Sequence, residues 1–176
     1  MIIFTGVAGS GKSVQGRMLA DKLRLPWLST GEFLRMLISG ERRKAMLEGK
    51  LLKDKEIIAL IQKIFTVVDT KREFVLDGFP RTVAQADWLL GQVKHGQLRI
   101  TGVIQLKASE KAVKTRLLGR GRPDDTQDAI KARFVEYEDE IVPILDHFRK
   151  AGIPVHDING QESVTKVHAN ILKALA

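Results

Sequence analysis

The stretch that decides the fold is GVAGSGKS, residues 6–13, which directly follows the apolar run MIIFT at residues 1–5. An apolar, β-branched run that ends at glycines predicts a buried strand that opens into a loop. The next residues, VQGRMLADKLRL, carry apolar side chains at helical spacing. The stretch is therefore predicted to form a strand, a glycine-rich loop and the start of a helix, and it fits the P-loop pattern G-x-x-x-x-G-K-[ST].

The chemistry of a P-loop explains this choice of residues. Glycines let the backbone curl so that successive N–H groups point inward, where the helix dipole adds partial positive charge. Lys12 is predicted to reach the β- and γ-phosphates of a nucleotide, and the hydroxyl of Ser13 is predicted to bind Mg²⁺. The alternative is a glycine-rich turn in which Ser13 caps the helix. The spacing and the flanking patterns favour the phosphate-binding interpretation.

Length and composition restrict the class of protein. A chain of 176 residues suits one domain, and it contains no cysteine for disulfides or thiolate metal sites. No run approaches the roughly 18 consecutive apolar residues of a membrane span. The N-terminus lacks the basic region and the long apolar segment of a secretory signal. We therefore expect a single-domain monomer in the cytoplasm, without a membrane partner.

The net charge of +8 indicates anionic partners. The basic residues are dispersed along the chain, and the aromatic residues Trp27, Trp88 and Tyr137 form no stripe. A nucleic-acid-binding protein needs a clustered basic face with stacking aromatic side chains. We therefore expect a small-molecule anion, and no nucleic acid, as the partner.

Strand-like and helix-like segments alternate along the chain. Apolar runs predict strands at 1–5, 26–29, 74–77, 100–107 and 153–158. Helical periodicity extends over 53–70 and again over 130–148, where Pro143 is expected to bend or interrupt the helix. The sequence Thr82-Val-Ala-Gln85 matches a capping box that opens another helix. This alternation predicts an α/β layer fold with a mainly parallel sheet.

Three polar segments follow predicted strands, at the edge where parallel sheets bind ligands. They are GVAGSGKS (6–13), LSTGEFLR (28–35) and DGFPRT (77–82). Asp77 is expected to organise Mg²⁺ through its water shell, unless it only begins a turn. Arg35 and Arg81 are expected to bind a second phosphate through bidentate hydrogen bonds. The alternative is that both are ordinary surface arginines. Gln85 either reads a base edge or serves only the capping box.

The segment RLLGRGRPDDTQDAIKAR, residues 116–133, brings four arginines close together in the sequence. They are Arg116, Arg120, Arg122 and Arg133. Arginines on a loop with glycine hinges suit a lid that closes over phosphates and stabilises transition-state charge. The alternative is a basic surface loop.

Helix-breaking residues lie between these arginines. Gly119, Gly121 and Pro123 are expected to break the helix and leave a short loop. Asp124 or Asp125 is expected to cap the helix that follows.

Together these segments resemble the adenylate kinases, within the nucleoside-monophosphate kinase family. The resemblance runs along nearly the whole chain, through GVAGSGKSVQ, LSTGEFLR, GKLL, LDGFPRTVAQA, RLLGRGRPDD, IKAR and INGQESV. It implies transfer of the γ-phosphoryl group of Mg·ATP to AMP, which gives two ADP. It also implies a P-loop NTPase-type three-layer fold with five parallel strands in the order 2-3-1-4-5. An AMP-binding helical segment at about 29–52 and a short lid at about 119–125 would complete the single domain.

The resemblance also implies roles for individual residues. ATP would be held by Gly9, Ser10, Gly11, Lys12, Ser13, Val14, Arg116, Arg120 and Gln161. AMP would be held by Thr30, Gly31, Arg35, Lys50, Leu51, Leu52, Gly78, Phe79, Pro80, Arg81, Gln85, Arg122 and Arg133. The catalytic residues would be Lys12, Arg81, Arg120, Arg122 and Arg133, and the metal would be held by Ser13 and Asp77.

The chain departs from the family pattern at the P-loop and at the lid. The family usually reads G-x-P-G-x-G-K-G-T-Q, whereas this chain has Ala8, Ser13 and Val14 in place of Pro, Gly and Thr. Ser13 is therefore expected to replace the missing threonine hydroxyl at Mg²⁺. In the lid, only Gly121 separates two of the arginines.

The sequence is also compatible with two other functions. One is a kinase for UMP or CMP, although Thr82, where such kinases tend to have Asn, favours AMP. The other is a nucleotide-binding module with weak ATPase activity, which the short lid and Val14 keep open.

Overall fold

The computed structural model describes residues 1–37, 53–121 and 125–176 and contains a five-stranded parallel sheet. The strands are β1 (Ile2–Thr5), β2 (Trp27–Ser29), β3 (Val75–Asp77), β4 (Gly102–Lys107) and β5 (Val155–Asn159). They lie side by side in the order β2-β3-β1-β4-β5, and each neighbouring pair is parallel. The predicted fold class and strand order are therefore confirmed.

Helices connect the strands and cover the sheet. Those in the described ranges are α1 (Lys12–Leu23), α2 (Thr30–Leu37), α3 (Asp54–Thr66), α4 (Val83–Lys94), α5 (Glu110–Arg120), α6 (Gln127–Glu136), α7 (Val142–Lys150) and α8 (Val164–Leu175). The helix predicted over 53–70 ends at Thr66, four residues early. In the described parts of the chain, no helix has both the length and the apolar character that crossing a membrane requires.

The central strands β3, β1 and β4 are buried on both faces, which explains why they read as largely apolar runs, whereas the edge strand β5 is only partly buried. All four residues of β1 are buried. Successive residues of a strand point to opposite faces, so Ile3 and Leu76 join one apolar cluster whereas Phe4 and Val75 join another. The first cluster includes side chains of α3, α4 and α7, and the second includes side chains of α1 and α8. The result is the expected three layers, with helices on each side of the sheet.

The helical segment predicted over 130–148 is interrupted, as expected. A π-helical turn, Tyr137–Ile141, separates α6 from α7. Pro143 lies in the first turn of α7. Proline is tolerated there because the first N–H groups of a helix have no intrahelical partner to lose.

Two local predictions around the lid are wrong. Gly119 does not break α5, which continues to Arg120 and ends where Gly121 adopts φ 66°. A single helical glycine costs only about 1 kcal/mol relative to alanine and does not block the helix. The cap of α6 is Thr126, whose hydroxyl accepts a hydrogen bond from the Ala129 N–H, and not Asp125. Asp124 lies outside the described residues.

Candidate active site

The glycines of the P-loop occupy conformations that other residues rarely adopt. Gly6, Gly9 and Gly11 have φ values of 134°, 87° and 106°. A Cβ atom on Gly6 would collide with the carbonyl oxygen of Leu106, and one on Gly9 would lie 2.8 Å from Cγ of Leu117. The loop therefore needs glycine both for its backbone conformation and for its close approach to β4 and α5.

The P-loop leads into an open helix N-terminus. Gly11 is the N-cap residue of α1, so the alternative in which Ser13 caps the helix is wrong. Within the described residues, α1 has neither a side-chain cap nor an acidic residue in its first turn. Its first N–H groups and the positive end of its dipole therefore face the loop, which is the arrangement that binds phosphate.

Lys12 folds back over this loop. Its Nζ donates to the carbonyl oxygens of Gly6, at 2.7 Å, and Val7, at 2.9 Å. Burial lowers the pKa of Lys12 to about 8. Nearby charges also act on the ammonium: those of Asp77 and Glu136 raise its pKa, and those of Arg81 and Arg120 lower it. Residues distant in sequence therefore converge electrostatically on Lys12.

A carboxylate and a hydroxyl meet beside the P-loop. Asp77 ends β3 and is 3 % exposed, and its Oδ2 accepts a hydrogen bond from Ser13 Oγ at 2.6 Å. Oxygen ligands of this kind suit Mg²⁺, which usually keeps several waters and binds through one or two carboxylates plus substrate phosphates. The described ranges contain no group of three or more His, Cys, Asp or Glu that could hold a metal ion by itself.

The loop after β3 packs against the start of α2. The Thr30 hydroxyl donates to the carbonyl oxygen of Asp77 at 2.9 Å. A Cβ atom on Gly78, where φ is 82°, would lie 2.8 Å from that hydroxyl oxygen. Arg81 is exposed, and its Nε donates to the Gly78 carbonyl oxygen at 3.0 Å. The Phe79 side chain, by contrast, is 1 % exposed and packs edge-to-face on Trp88.

The first turn of α4 differs in one detail from the predicted capping box. Thr82 Oγ1 accepts from the Gln85 N–H at 3.3 Å, as expected. The Gln85 side chain does not return to the Thr82 N–H, since its Oε1 accepts from the Arg81 N–H at 2.9 Å.

Two of the predicted lid arginines share one buried carboxylate. Arg120 donates to Asp125 through Nε at 2.8 Å and through Nη2 at 2.6 Å, and Arg133 donates through Nη1 at 3.0 Å. The Asp125 side chain is 1 % exposed. Burial alone would raise the pKa of Asp125, but the hydrogen bonds from the two arginines outweigh it and hold the pKa below the usual value.

Arg116 links the P-loop to the end of β5. Its guanidinium donates to the carbonyl oxygens of Gly160, at 2.9 Å, and Ser10, at 3.4 Å. Gln161 lies next to this contact, and its Oε1 accepts from Ser109 Oγ at 2.6 Å. The predicted ATP-binding residues thus come from three separate parts of the chain: the P-loop with the start of α1, α5, and the segment after β5.

Several further predicted site residues lie outside the described ranges, on α2 or on α1. Lys50, Leu51, Leu52 and Arg122 lie outside the described residues. Gly31 and Arg35 lie together on α2, with the guanidinium next to the Gly31 backbone. Val14 is 52 % exposed on α1.

The sequence did not predict the roles of three acidic residues in this region. Asp125 anchors two arginines, and the charge of Glu136 acts on Lys12. Asp54 Oδ1 accepts a hydrogen bond from Gln85 Nε2. Asp125 is one of three aspartates in a segment otherwise rich in arginine, so an acidic partner for the arginines could have been expected there. Neither Asp54 nor Glu136 stands out from the other acidic residues in the sequence.

A P-loop, the hydrogen-bonded pair of Ser13 and Asp77 beside it and arginines from three further segments define the class of P-loop phosphotransferases that includes the nucleoside-monophosphate kinases. Comparison with known proteins supports the same class of protein. The family model for adenylate kinase matches residues 4–153. The adenylate kinase of Mycobacterium sp. (strain MCS) is 37% identical over 180 residues, covering 99% of this chain and 98% of that protein.

Adenylate kinases of other bacteria are similar over the same share of each chain. That of Leptospira biflexa is 34% identical over 184 residues, and that of Corynebacterium glutamicum (strain R) is 33% identical over 180 residues. The chain belongs to the adenylate kinase family.

Proposed function

We propose that this protein is an ATP:AMP phosphotransferase that moves the γ-phosphoryl group of Mg·ATP to AMP and releases two ADP. The observation that carries the proposal is the P-loop geometry, in which Lys12 lies over the carbonyl oxygens of Gly6 and Val7 and Ser13 pairs with Asp77 at 2.6 Å, with the charges of Arg81 and Arg120 acting on Lys12. It joins a P-loop to cationic groups from two other segments, as a phosphoryl transfer between two bound nucleotides requires. Membership of the adenylate kinase family supports the same reaction.

On the donor side, the P-loop amides of Gly9–Val14 would bind the phosphates of ATP. Lys12 would leave the carbonyl oxygens of Gly6 and Val7 and neutralise charge on the β- and γ-phosphates. A bound phosphate would keep this lysine protonated, because an adjacent anion raises the pKa of an ammonium. Arg116 and Gln161 would lie toward the base of ATP.

Ser13 and Asp77 would hold Mg²⁺, since they already pair at 2.6 Å and supply the oxygen ligands that this ion prefers. The ion would neutralise part of the charge on the β- and γ-phosphates.

On the acceptor side, the phosphate of AMP would meet Arg35 and Arg81. The contact with Gly78 keeps the Arg81 guanidinium close to the loop, from which it could turn toward a phosphate. The AMP site between α2 and the loop after β3 would be completed by Thr30, Gly31, Phe79, Pro80 and Gln85. The AMP-binding roles of Lys50, Leu51 and Leu52, which lie outside the described residues, rest on the sequence alone.

The transfer itself needs no general base. The acceptor atom is an oxygen of the AMP phosphate, which is already anionic at neutral pH. Catalysis therefore reduces to alignment and to stabilisation of charge on the transferring group. Arg120, Arg122 and Arg133 would supply that stabilisation together with Lys12 and Arg81. We infer a cytoplasmic monomer, in keeping with the cysteine-free sequence.

A nucleotide-binding module with weak ATPase activity is the second candidate. The observation that favours it is the short lid, in which a single residue separates Arg120 from Arg122. A lid excludes water from a phosphoryl-transfer site, so a small lid leaves hydrolysis as a competing reaction.

The test is a coupled assay of ADP formation from Mg·ATP with AMP, GMP, UMP, CMP or no acceptor. We expect rapid ADP formation with AMP and little without an acceptor. Arg81→Ala should lower kcat/KM for AMP by about a hundredfold, whereas Arg72→Ala, at an exposed arginine ahead of β3, should leave it unchanged. Equal rates with and without AMP would overturn the proposal in favour of the ATPase module.

A further inference from the structure

Asp54 connects α3 to the first turn of α4. It is the first residue of α3, and a single oxygen of its side chain, Oδ1, accepts two hydrogen bonds from the α4 segment. One comes from the Thr82 hydroxyl at 2.8 Å, and the other from Gln85 Nε2, also at 2.8 Å. Because Gln85 is 2 % exposed, its amide depends on such protein partners rather than on bulk water.

The neighbours of Gln85 fix which way its amide faces. The Arg81 N–H, a donor, meets Oε1 at 2.9 Å, and the Asp54 carboxylate, an acceptor, meets Nε2. The opposite orientation would set two donors against each other at Arg81 and two acceptors against each other at Asp54. Both contacts therefore require the same orientation.

A fixed amide distinguishes between two groups of nucleobases. Beyond its bonds to Arg81 and Asp54, the Gln85 amide has the capacity of one further N–H and one further oxygen lone pair. Adenine and cytosine present an amino donor beside a ring-nitrogen acceptor, whereas guanine and uracil present a carbonyl acceptor beside a ring N–H. A base held in one position pairs with a fixed amide in only one of these two orders. An amide free to turn can pair with either.

We propose that Asp54 is a positioning residue that fixes the orientation of the Gln85 amide and thereby sets which acceptor base the enzyme prefers. This role rests on the proposed function, in which Gln85 belongs to the AMP site, and on the expectation that its amide reads the base edge. Asp54 touches no reacting group; it acts through Gln85, and its carbonyl-type oxygen, not its charge, is the feature that matters.

Two substitutions separate the oxygen from the charge. Asp54→Asn removes the charge but keeps one carbonyl oxygen, which is enough because both bonds end on Oδ1. Asp54→Ala removes both. Each variant loses the same first-turn charge from α3, so an effect seen only with alanine reports the acceptor oxygen.

We expect Asp54→Ala to raise the KM for AMP about tenfold while kcat and the KM for ATP change less than about twofold. The preference for AMP over GMP should fall by a similar factor. Relative use of UMP should rise more than that of CMP, because cytosine has the same donor–acceptor order as adenine. Asp54→Asn should stay within about threefold of the wild type in each of these quantities.

A second measurement does not depend on turnover. The side-chain amide signals of Gln85 in ¹⁵N-labelled, nucleotide-free protein should shift or broaden in Asp54→Ala and stay close to wild type in Asp54→Asn. Unchanged signals in the alanine variant, or an unchanged AMP-to-GMP ratio, would overturn the proposal. So would an asparagine variant as impaired as the alanine variant. A wild type that fails to phosphorylate AMP would instead overturn the proposed function, and the specificity role with it.

Discussion

The P-loop, residues 6–13, and the arginine cluster of Arg120, Asp125 and Arg133 both present positive charge, but they hold it by different means. In the P-loop the charge belongs to backbone amides and a helix dipole, and glycines fix the geometry. In the arginine cluster it belongs to long side chains, and the carboxylate of Asp125 holds them. A change to the P-loop backbone should therefore destroy its site, whereas a change to Asp125 should loosen the cluster.

The largest expected effect follows the loss of Lys12. Lys12→Met should lower kcat by about a hundredfold to a thousandfold, because no other described side chain reaches the same loop carbonyls and preorganised charge is lost from the transition state. Steady-state assays with Mg·ATP and AMP measure this. Lys22→Met, at an exposed lysine in the last turn of α1, is the control and should change kcat less than twofold. A similar loss in both variants would contradict the assignment.

Gly9→Ala should be the most disruptive small change to the P-loop backbone. The new methyl group would lie 2.8 Å from Cγ of Leu117, at a φ of 87°. Strain at such positions and overpacking each cost about 1–3 kcal/mol. We expect the free energy of unfolding in urea to fall by about 2–4 kcal/mol and the KM for ATP to rise. A fully stable variant with normal ATP binding would show that the loop is not fixed by this contact.

Asp125→Asn tests the arginine cluster. The Arg133 and Arg120 side chains are 15% and 34% exposed, so solvent weakens their pairing with Asp125. We expect a loss of about 1–3 kcal/mol in the free energy of unfolding at pH 7. ATP binding should be less affected than kcat. Asp128→Asn, at an exposed position of α6, should cost less than about 0.5 kcal/mol.

The difference in the free energy of unfolding between the wild type and Asp125→Asn should depend on pH. The carboxyl pKa of Asp125 is lower in the folded protein, so the unfolded chain takes up the proton first as the pH falls. The stabilisation by Asp125 is therefore fully present above about pH 5 and is lost as the pH falls below about 4. The free energies of unfolding of the wild type and Asp125→Asn, measured in urea, should therefore become equal as the pH falls through that range. A stability difference independent of pH would show that the charge of Asp125 is not responsible.

The smallest expected effect comes from Gly119→Ala. Gly119 lies inside α5, and a Cβ atom there would meet no atom within 4 Å. Alanine should therefore stabilise the protein by about 0.5–1 kcal/mol, measured by thermal unfolding. Destabilisation would indicate that α5 must open at this residue, as a hinged lid would require.

The P-loop and the arginine cluster also differ in how far the sequence predicts them. The P-loop was predictable because its backbone needs glycine at fixed spacing and a flanking strand and helix. The end of α5 was mispredicted at Gly119, because a glycine inside a helix and one at its end look alike without the positive φ of Gly121. The capping role expected of Asp125 was wrong because its partners, Arg120 and Arg133, are set by tertiary packing. Asp54 was missed for the same reason, since its bonds join two helices far apart in sequence.

Transfer of the γ-phosphoryl group to AMP is tested by following where that group goes. Mg·ATP labelled at the γ-phosphorus is mixed with AMP, and the label in ADP and in inorganic phosphate is measured over one turnover. We expect nearly all the label to enter ADP, with two ADP formed for each ATP consumed. Release of most of the label as inorganic phosphate, with AMP unchanged, would contradict it.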